Sequence, residues 1–147
     1  MRGPAVRKRA AAPASDPAAV RELVRYARQA RRRAHAPFSG FAVGAALRTR
    51  GGEIVTGCNI ENATFGLTLC AERVAVFKAV SEGLGPFTEI AVVARSKRST
   101  PPCGPCRQIL WEFCGDVLVH MAGPTGQAVR TLRLSDLFPE PFDAGHL

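Results

Sequence analysis

The sequence predicts a three-layer α/β/α fold built on one mixed sheet of about five strands. Three segments have apolar residues at helical spacing, and five short segments have the composition and flanking turns of strands. Their order, α-β-β-α-β-α-β-β, is typical of a single sheet covered by helices. With 147 residues, 46% of them hydrophobic, the chain has the size of one domain with a buried core.

The first predicted helix follows a segment of different composition. Residues 1–15 are rich in Ala, Pro and Arg without apolar periodicity, so we expect a disordered basic tail there and a single folded domain over 16–147. Ser15 or Asp16 before Pro17 is typical of a helix N-terminus. The helix is expected to bury one stripe of residues: Val20, Leu23, Val24, Ala27 and Ala34.

Two strands and a second helix come next. Residues 41–49 and 53–60 flank a Gly51-Gly52 turn, which predicts an antiparallel pair. Residues 68–83 are predicted to form a helix that ends at Gly83. This helix has two apolar faces, so we expect it to be sandwiched in the interior or placed at a subunit contact. The faces consist of Val74, Phe77 and Val80, and of Ala71, Ala75 and Ala79.

The rest of the chain supplies the buried part of the sheet. A continuous apolar run at 89–95 is typical of a fully buried strand, and a Pro-rich loop then leads into a third helix at 106–114. Residues 116–122 and 126–134 are predicted to be the last two strands, joined by a turn at 123–126.

The net charge of +8 is confined to one end of the chain. Residues 1–35 hold ten of the 20 basic residues and only two of the 12 acidic ones, so the remainder is neutral. A nucleic-acid-binding protein usually spreads a basic stripe over its binding face. We therefore interpret the surplus as a solvated tail and helix face, and expect no specific nucleic acid partner.

The sequence shows neither an apolar run near the roughly 18 residues of a membrane span nor the apolar segment of a secretory signal. We therefore expect a cytoplasmic protein without a membrane partner.

Five cysteines in a chain of this kind favour metal binding or catalysis over disulfides. Cys70 opens the second predicted helix, and Cys103 and Cys106 open the third. Helix N-termini favour the thiolate that binds metal, and the two N-termini could converge at one edge of the sheet. Three protein ligands leave the fourth tetrahedral position for water, as in catalytic zinc sites. We interpret Cys58 and Cys114 as small buried residues.

An acidic side chain stands beside this cysteine set. Glu72 follows Cys70 by two residues and is displaced from it around the helix, so it can reach the open side of a metal and move protons there. On its own, a glutamate at a helix start is more often a partner of the helix dipole. Here it forms part of Cys-x-Glu followed by Pro-Cys-x-x-Cys, the motif of zinc-dependent deaminases.

In these residues the chain resembles the cytidine deaminases of the small, homotetrameric, zinc-dependent class. The resemblance extends from the first predicted helix to near the end of the chain. It rests on the segments "PFSGFAVGAAL", "GCNIENATFGLTLCAERVAVFKAVSEG", "PCGPCRQIL" and "DLFPEPF". It implies that 16–147 is a catalytic domain of pyrimidine salvage, which hydrolyses free cytidine or deoxycytidine to uridine or deoxyuridine and ammonia.

The resemblance also implies a metal site and its surroundings. Zn²⁺ would bind Cys70, Cys103 and Cys106, and Glu72 would be the proton shuttle. Arg73 would donate hydrogen bonds to the cysteine sulfurs and so offset the excess negative charge of three thiolates around one Zn²⁺.

The substrate contacts are implied in the same way. Asn59 and Glu61 match the pair that holds the ribose hydroxyls, which suits an amide and a carboxylate. Phe41 matches the aromatic residue beside the pyrimidine, and the backbone of Ala71 matches a contact to the base carbonyl. Phe142 matches a C-terminal aromatic residue that reaches a neighbouring subunit's site, and this implies a homo-oligomer, by resemblance a tetramer.

Two residues depart from the family pattern. Phe65 stands where the family often has Tyr, which removes a hydroxyl contact across a subunit boundary. Pro105 stands where a small residue is common, and it stiffens the loop between the two thiols.

Three alternatives stay open at this point. The same chemistry would serve a deaminase of a modified cytosine nucleoside, of the blasticidin S type. Cys-Gly-Pro-Cys at 103–106 is also found in thioredoxin-like oxidoreductases, although that fold has its dithiol after the first strand. The third alternative is a non-catalytic zinc module that binds RNA through the basic N-terminus.

Overall fold

The structure, a computed structural model, describes residues 15–96, 98–126 and 128–147. The tail expected at 1–15 therefore lies, apart from Ser15, outside the described residues. The described elements are, in order, α1 (Pro17–Arg31), β1 (Val43–Thr49), β2 (Ile54–Cys58), α2 (Ala71–Ser81), β3 (Phe87–Ala94), α3 (Gly104–Cys114), β4 (Leu118–Ala122), β5 (Arg130–Arg133) and α4 (Leu134–Leu137), with short 3-10 turns at Phe65–Leu67 and Ala144–His146.

One mixed five-stranded sheet forms the middle layer, in the order β2-β1-β3-β4-β5. The pairs β1–β2, β1–β3 and β4–β5 are antiparallel, and β3–β4 is parallel. Helix α1 packs on one face of the sheet, and α2 and α3 pack on the other. The predicted three-layer α/β/α architecture with one mixed sheet of five strands is confirmed.

Helix α1 begins where its N-terminal signal predicts. The side chain of Asp16 accepts a hydrogen bond from the Ala18 N–H at 3.1 Å, and Pro17 is the first helical residue. Leu23, Val24 and Ala27 are buried as expected, and Val20 packs at the margin of the same cluster.

The predicted stripe of α1 is wrong at its C-terminal end. Ala34 lies beyond the helix, in a turn, and is half-buried. Ala30 takes its place on the buried face, because the helix ends one turn earlier than the apolar spacing suggested.

The pairing of the strands places the predicted site residues at one edge of the sheet. The predicted hairpin is confirmed, with Gly52 at φ +97° in its turn. The predicted buried strand is β3, which lies at the centre of the sheet. The start of β1 lies beside the ends of β2 and β3, as the pairs Gly44 with Cys58 and Val43 with Ala94 show.

Helix α2 buries only one of its two predicted apolar faces. Ala71, Ala75 and Ala79 are fully buried against the sheet. Phe77 and Val80 on the other face are 39% and 41% exposed in the single chain. The prediction that α2 is sandwiched in the interior is therefore wrong for that face. Its contact with another subunit stays a prediction.

The end of the chain departs from the predicted last strand. Instead of a strand over 126–134, the structure has the four-residue β5 followed directly by α4. Asp116 accepts hydrogen bonds from the N–H and hydroxyl of Ser135 at 2.8 and 3.0 Å, which turns the chain and buries Leu134 in the core. None of the helices in the described ranges is long and apolar enough to cross a membrane.

Candidate active site

Three cysteine sulfurs meet where α2 and α3 begin. Cys70 and Cys103 are the N-cap residues of the two helices, and Cys106 lies in the first turn of α3. The Sγ atom of Cys103 is 3.7 Å from that of Cys70 and 3.4 Å from that of Cys106, and all three lie within 4.8 Å of one another. The convergence of both helix N-termini at one sheet edge is thus observed.

The spacing of these sulfurs fits a tetrahedral zinc ion. A Zn–S bond of about 2.3 Å places two sulfurs of a tetrahedral shell about 3.8 Å apart. All five cysteines are free. Among the described residues, this is the one group of three or more His, Cys, Asp or Glu side chains close enough to hold a metal.

The other two cysteines lie outside the group. The Cys58 thiol donates to the backbone oxygen of Arg33 at 3.4 Å. Cys114 stands at the far end of α3, where burial raises the pKa of its thiol to about 12. Neither takes part in the cluster, although both are half-buried where full burial was expected.

Hydrogen bonds favour a thiolate within the cluster. The hydrogen bond from Cys106, followed by one from Arg73, lowers the pKa of Cys70 to about 5. The Arg73 Nη2 atom lies 3.7 Å from the Cys70 Sγ and 3.0 Å from the backbone oxygen of Thr68. The buried Nε atom of Arg73 has no hydrogen-bond partner in the described part of the chain. A guanidinium with a spare donor beside three sulfurs suits a site that holds several thiolates.

Glu72 is buried on the pocket side of the cluster. Only 5% of the residue is exposed. Burial raises the pKa of its carboxyl group to about 7, and negative charge on Cys70 acts in the same direction. A carboxyl group with this pKa can hold or release a proton near neutral pH.

A pocket of about 250 Å³ opens beside Cys70 and Glu72. Its wall brings together segments that are far apart in sequence: the start of β1, the chain after β2, the first turn of α2 and the loop before α3. Seven of the predicted site residues line it, namely Phe41, Asn59, Glu61, Cys70, Ala71, Glu72 and Cys103. Cys106 is fully buried behind them.

The amide of Asn59 is held in one orientation by the start of β1. Its Nδ2 donates to the backbone oxygen of Phe41, and its Oδ1 accepts from the N–H of Val43, both at 2.8 Å. An amide has two N–H donors and two acceptor lone pairs. One donor and one lone pair are therefore left for a ligand in the pocket.

Ser39 is a pocket residue that the sequence did not single out. Its hydroxyl donates a short hydrogen bond to Glu61 Oε1 and accepts the N–H of Phe41 at 3.0 Å. Glu61 Oε2 accepts the N–H groups of Phe38 and Ser39 at 2.8 and 3.2 Å. These bonds, the Ser39 hydroxyl first, lower the pKa of Glu61, so its carboxylate is ionised. Ser39 lies in the segment "PFSGFAVGAAL" but 22 residues before Glu61, and only the fold brings the two together.

Two more predicted residues occupy less direct positions. The backbone N–H of Ala71 belongs to the first turn of α2, whose N–H groups have no helical acceptor and are free to bind a ligand in the pocket. Phe142 is not on the pocket wall. It is 58% exposed, stacks on His146 with ring centroids 5.1 Å apart, and accepts a hydrogen bond from Gln108 at its backbone oxygen.

Comparison with known proteins gives a consistent result. Residues 18–121 match the family model described as the cytidine and deoxycytidylate deaminase zinc-binding region. The chain is 48% identical over 123 residues to a cytidine deaminase of Halalkalibacterium halodurans, covering 83% of this chain and 92% of that protein. It is 37% identical over 107 residues to a blasticidin-S deaminase of Bacillus cereus, covering 66% and 74% of the two chains.

Solved structures agree with the sequence relatives. A crystal structure of cytidine deaminase from Burkholderia pseudomallei superposes with a TM-score of 0.79 at 42% identity, and the match covers 83% of this chain and 98% of that one. A cytidine deaminase from Mycobacterium tuberculosis gives a TM-score of 0.73 at 42% identity over 84% and 96% of the two chains.

Proposed function

The chain belongs to the cytidine and deoxycytidylate deaminase family, and on that premise we propose that it is a zinc-dependent cytidine deaminase. It hydrolyses free cytidine or deoxycytidine to uridine or deoxyuridine with release of ammonia. The observation that carries this function is the meeting of three thiols beside a buried glutamate, where two of the thiols and the glutamate line a pocket that an oriented amide and a carboxylate also line.

Cys70, Cys103 and Cys106 would hold the metal. Zinc, when bound, supplies the Lewis acidity that makes water a nucleophile near neutral pH. Arg73 donates to the Cys70 sulfur and offsets the negative charge of the thiolates. Its spare Nε donor supports this role.

Glu72 moves the protons of the reaction. It takes a proton from the attacking water, gives it to N3 of the pyrimidine, and then delivers a proton to the departing amine. Burial and the raised pKa support this assignment, since a carboxyl group that titrates near 7 can both accept and donate. The reaction conserves protons, because the water supplies both the proton on N3 of the product and the proton that leaves with ammonia.

The substrate is held by groups along the same wall. The N–H of Ala71 donates to the base carbonyl, and Phe41 packs against the ring. Asn59 uses its remaining donor and lone pair for a ribose hydroxyl, and Glu61 accepts a hydroxyl through the lone pair that Ser39 and Phe38 leave free. The small volume of the pocket, about 250 Å³, supports a free nucleoside over a polynucleotide as substrate.

We also propose a homotetramer, with Phe142 of each chain completing a neighbour's pocket. The exposed position of Phe142, away from the pocket of its own chain, supports this. The apolar face of α2 supports it further, since Phe77 packs edge-on against Phe113 of α3 and both rings remain exposed. Five free cysteines favour a reducing compartment, so we place the enzyme in the cytoplasm.

The role of Glu72 is tested by Glu72→Gln, with Glu82→Gln at the exposed end of the same helix as the control of equal charge change. Deamination of cytidine should fall by roughly 10²–10⁴-fold in Glu72→Gln, because general acid–base catalysis supplies about that factor. Zinc content and the melting temperature should stay near those of the unmodified enzyme. Glu82→Gln should remain fully active, and substantial turnover by Glu72→Gln would remove Glu72 as the shuttle.

Similarity to a blasticidin-S deaminase leaves one rival substrate to test. Turnover of cytidine and of blasticidin S is measured under the same conditions. We expect kcat/KM to be far higher for cytidine, since Asn59 and Glu61 suit ordinary ribose hydroxyls. The reverse order would assign the chain to the modified nucleoside while leaving the zinc chemistry unchanged.

A further inference from the structure

A second and larger hollow lies behind the active site, along the open edge of the sheet. Its volume is about 580 Å³, and it is bounded by the end of α1, the outer edge of β2 and the flank of α2 that carries Val74 and Lys78. Thr56, Gly57 and Cys58 form the floor of this edge groove. The deaminase mechanism uses none of its lining residues. These are Tyr26, Gln29, Ala30, Arg32, Arg33, Thr56, Gly57, Cys58, Val74 and Lys78.

Three cationic side chains converge on the edge groove without acidic partners. Arg32 and Arg33 come from the end of α1, and Lys78 comes from the last turn of α2. Within the described part of the chain, none of the three side chains makes a hydrogen bond or an ion pair. Other basic residues nearby are engaged, since Arg28 and Arg31 donate to the backbone oxygens of Gly123 and Ala42.

The edge of β2 adds backbone donors to these charges. Asn59 donates its N–H to Val43, and Glu53 accepts from Thr49, so the odd-numbered residues of this strand bond to β1. In an antiparallel pair the alternate residues point their backbone groups the other way. The N–H and C=O groups of Thr56 and Cys58 therefore both face the open edge, and the N–H groups supply donors in the same groove as the three cations.

We propose that the edge groove is a second binding site, specific for a small molecule that carries two or more linked phosphates. Its volume is in the range of small-molecule sites, roughly 300–1,000 Å³. Three unpaired cations and outward N–H groups match a compact, multiply charged anion. Tyr26 and Gln29 on the same wall can contact a nucleoside attached to the phosphates. The inference does not depend on the deaminase activity.

The same three cations can also stabilise the helices that carry them, without any ligand. Arg32, Arg33 and Lys78 all stand at helix C-termini, where positive charge stabilises the helix dipole. That effect alters the free energy of unfolding, whereas a binding site alters the affinity for phosphate. The two are separated by measuring binding directly.

The test is calorimetric titration of the full zinc-loaded chain with inorganic tripolyphosphate, with ATP and with adenosine, at low ionic strength. The unmodified chain should bind both phosphate compounds with a stoichiometry of one and should not bind adenosine. The triple variant Arg32→Ala, Arg33→Ala, Lys78→Ala should weaken phosphate binding at least tenfold. Equal affinity for the two compounds would show that the phosphates alone are recognised, and tighter binding of ATP would show that the nucleoside contributes.

A matched control removes the same charge elsewhere. Arg21, Arg50 and Arg130 are exposed and do not line the edge groove, so their triple alanine variant should bind phosphate within twofold of the unmodified chain. Equal weakening in both triple variants, or no binding of either phosphate compound, would overturn the proposal. So would preferential binding of a single-stranded RNA that depends on the groove cations. Zinc is counted after each titration to detect metal loss. The single variant Lys78→Glu, which changes one groove cation, is measured in case the triple variant misfolds.

Discussion

Glu89 lies buried in β3 between Arg48 on one side and His120 on the other. Its Oε1 accepts from Arg48 of β1 and its Oε2 contacts the Nε2 of His120 of β4, each at 2.8 Å. His120 is fully buried, and its Nδ1 lies 2.8 Å from the hydroxyl of Thr131 in β5. This chain of contacts crosses the sheet from β1 to β5, opposite the α2 and α3 layer.

The position of Glu89 predicts a pH-dependent stability. The hydrogen bond with His120, followed by the charges of His120 and Arg48, lowers the pKa of Glu89. A carboxyl group with a lowered pKa in the folded state stabilises the fold above its unfolded pKa, about 4.3, and the effect is lost as the pH falls through the folded pKa. The free-energy difference between the unmodified chain and Glu89→Gln should therefore be largest above about pH 5 and shrink below it.

Urea unfolding between pH 7 and pH 3 measures this difference. Glu112→Gln, an exposed site on α3, is the control and should change the free energy of unfolding little at any pH. A Glu89→Gln penalty that stays constant over the whole pH range would contradict the account.

Single residues of the proposed metal site were predictable, and the Glu89 contacts were not. Cys70, Glu72, Cys103 and Cys106 form short motifs whose spacing places them at helix starts. Glu89 stood unremarked in an apolar run, because its partners Arg48 and His120 are 41 and 31 residues away along the chain. No local pattern signals such a pair.

Close packing of β2 against α2 sets the position of the proposed metal ligands. A Cβ atom added at Gly57 would lie 2.4 Å from the backbone oxygen of Ala71 and 2.5 Å from the backbone nitrogen of Ala75. Both contacts are with the helix backbone, which cannot move aside without shifting the first turn that follows Cys70.

Gly57→Ala should therefore lower both stability and activity. Overpacking of this kind costs about 1–3 kcal/mol, and roughly 2–4 °C of melting temperature is lost per kcal/mol in a domain of this size. Thermal unfolding and cytidine turnover are the measurements. Gly126→Ala, where a Cβ would meet nothing within 4 Å, is the control. Unchanged stability and activity in Gly57→Ala would show that α2 is not held by this contact.

The elements with local signals were predicted well, and the rest depended on distant contacts. Asp16 and Pro17 mark the start of α1, and the Gly51-Gly52 turn marks the first hairpin. Helix α4 was missed, because its first turn depends on Asp116 bonding to Ser135 nineteen residues later. The strand order in the sheet also follows from long-range pairing, which periodicity does not encode.

In the proposed assembly of the whole molecule, Phe142 near the C-terminus reaches the pocket of a neighbouring chain. If it completes a neighbour's pocket, Phe142→Ala should raise the KM for cytidine about tenfold or more, since loss of a buried aromatic contact costs about 1.5–3 kcal/mol. Zinc content and kcat should change much less.

Leu147→Ala, at the fully exposed last residue, is the matched control and should leave KM unchanged. Sedimentation at assay concentration accompanies both variants. A fully active monomer would contradict the assembly, and so would a normal KM in Phe142→Ala.

Besides the resemblance at Phe142, the sequence indicated the proposed assembly where apolar residues exceeded what one chain can bury. The two faces of α2 gave that signal, and the structure leaves Phe77 and Val80 exposed beside Phe113. Which residues of another copy would cover them depends on the contact between the copies, so no pattern within one chain specifies it.

The proposed function requires that Cys70, Cys103 and Cys106 hold one zinc ion on which the deamination of cytidine depends. The most direct measurement counts zinc per chain and follows the ultraviolet change of cytidine conversion on the same sample, for the unmodified chain, Cys103→Ser and Cys114→Ser. We expect about one zinc and rapid conversion in the unmodified chain and in Cys114→Ser, and loss of both in Cys103→Ser. Full conversion without zinc, or a Cys103–Cys106 disulfide in place of the metal, would contradict the account.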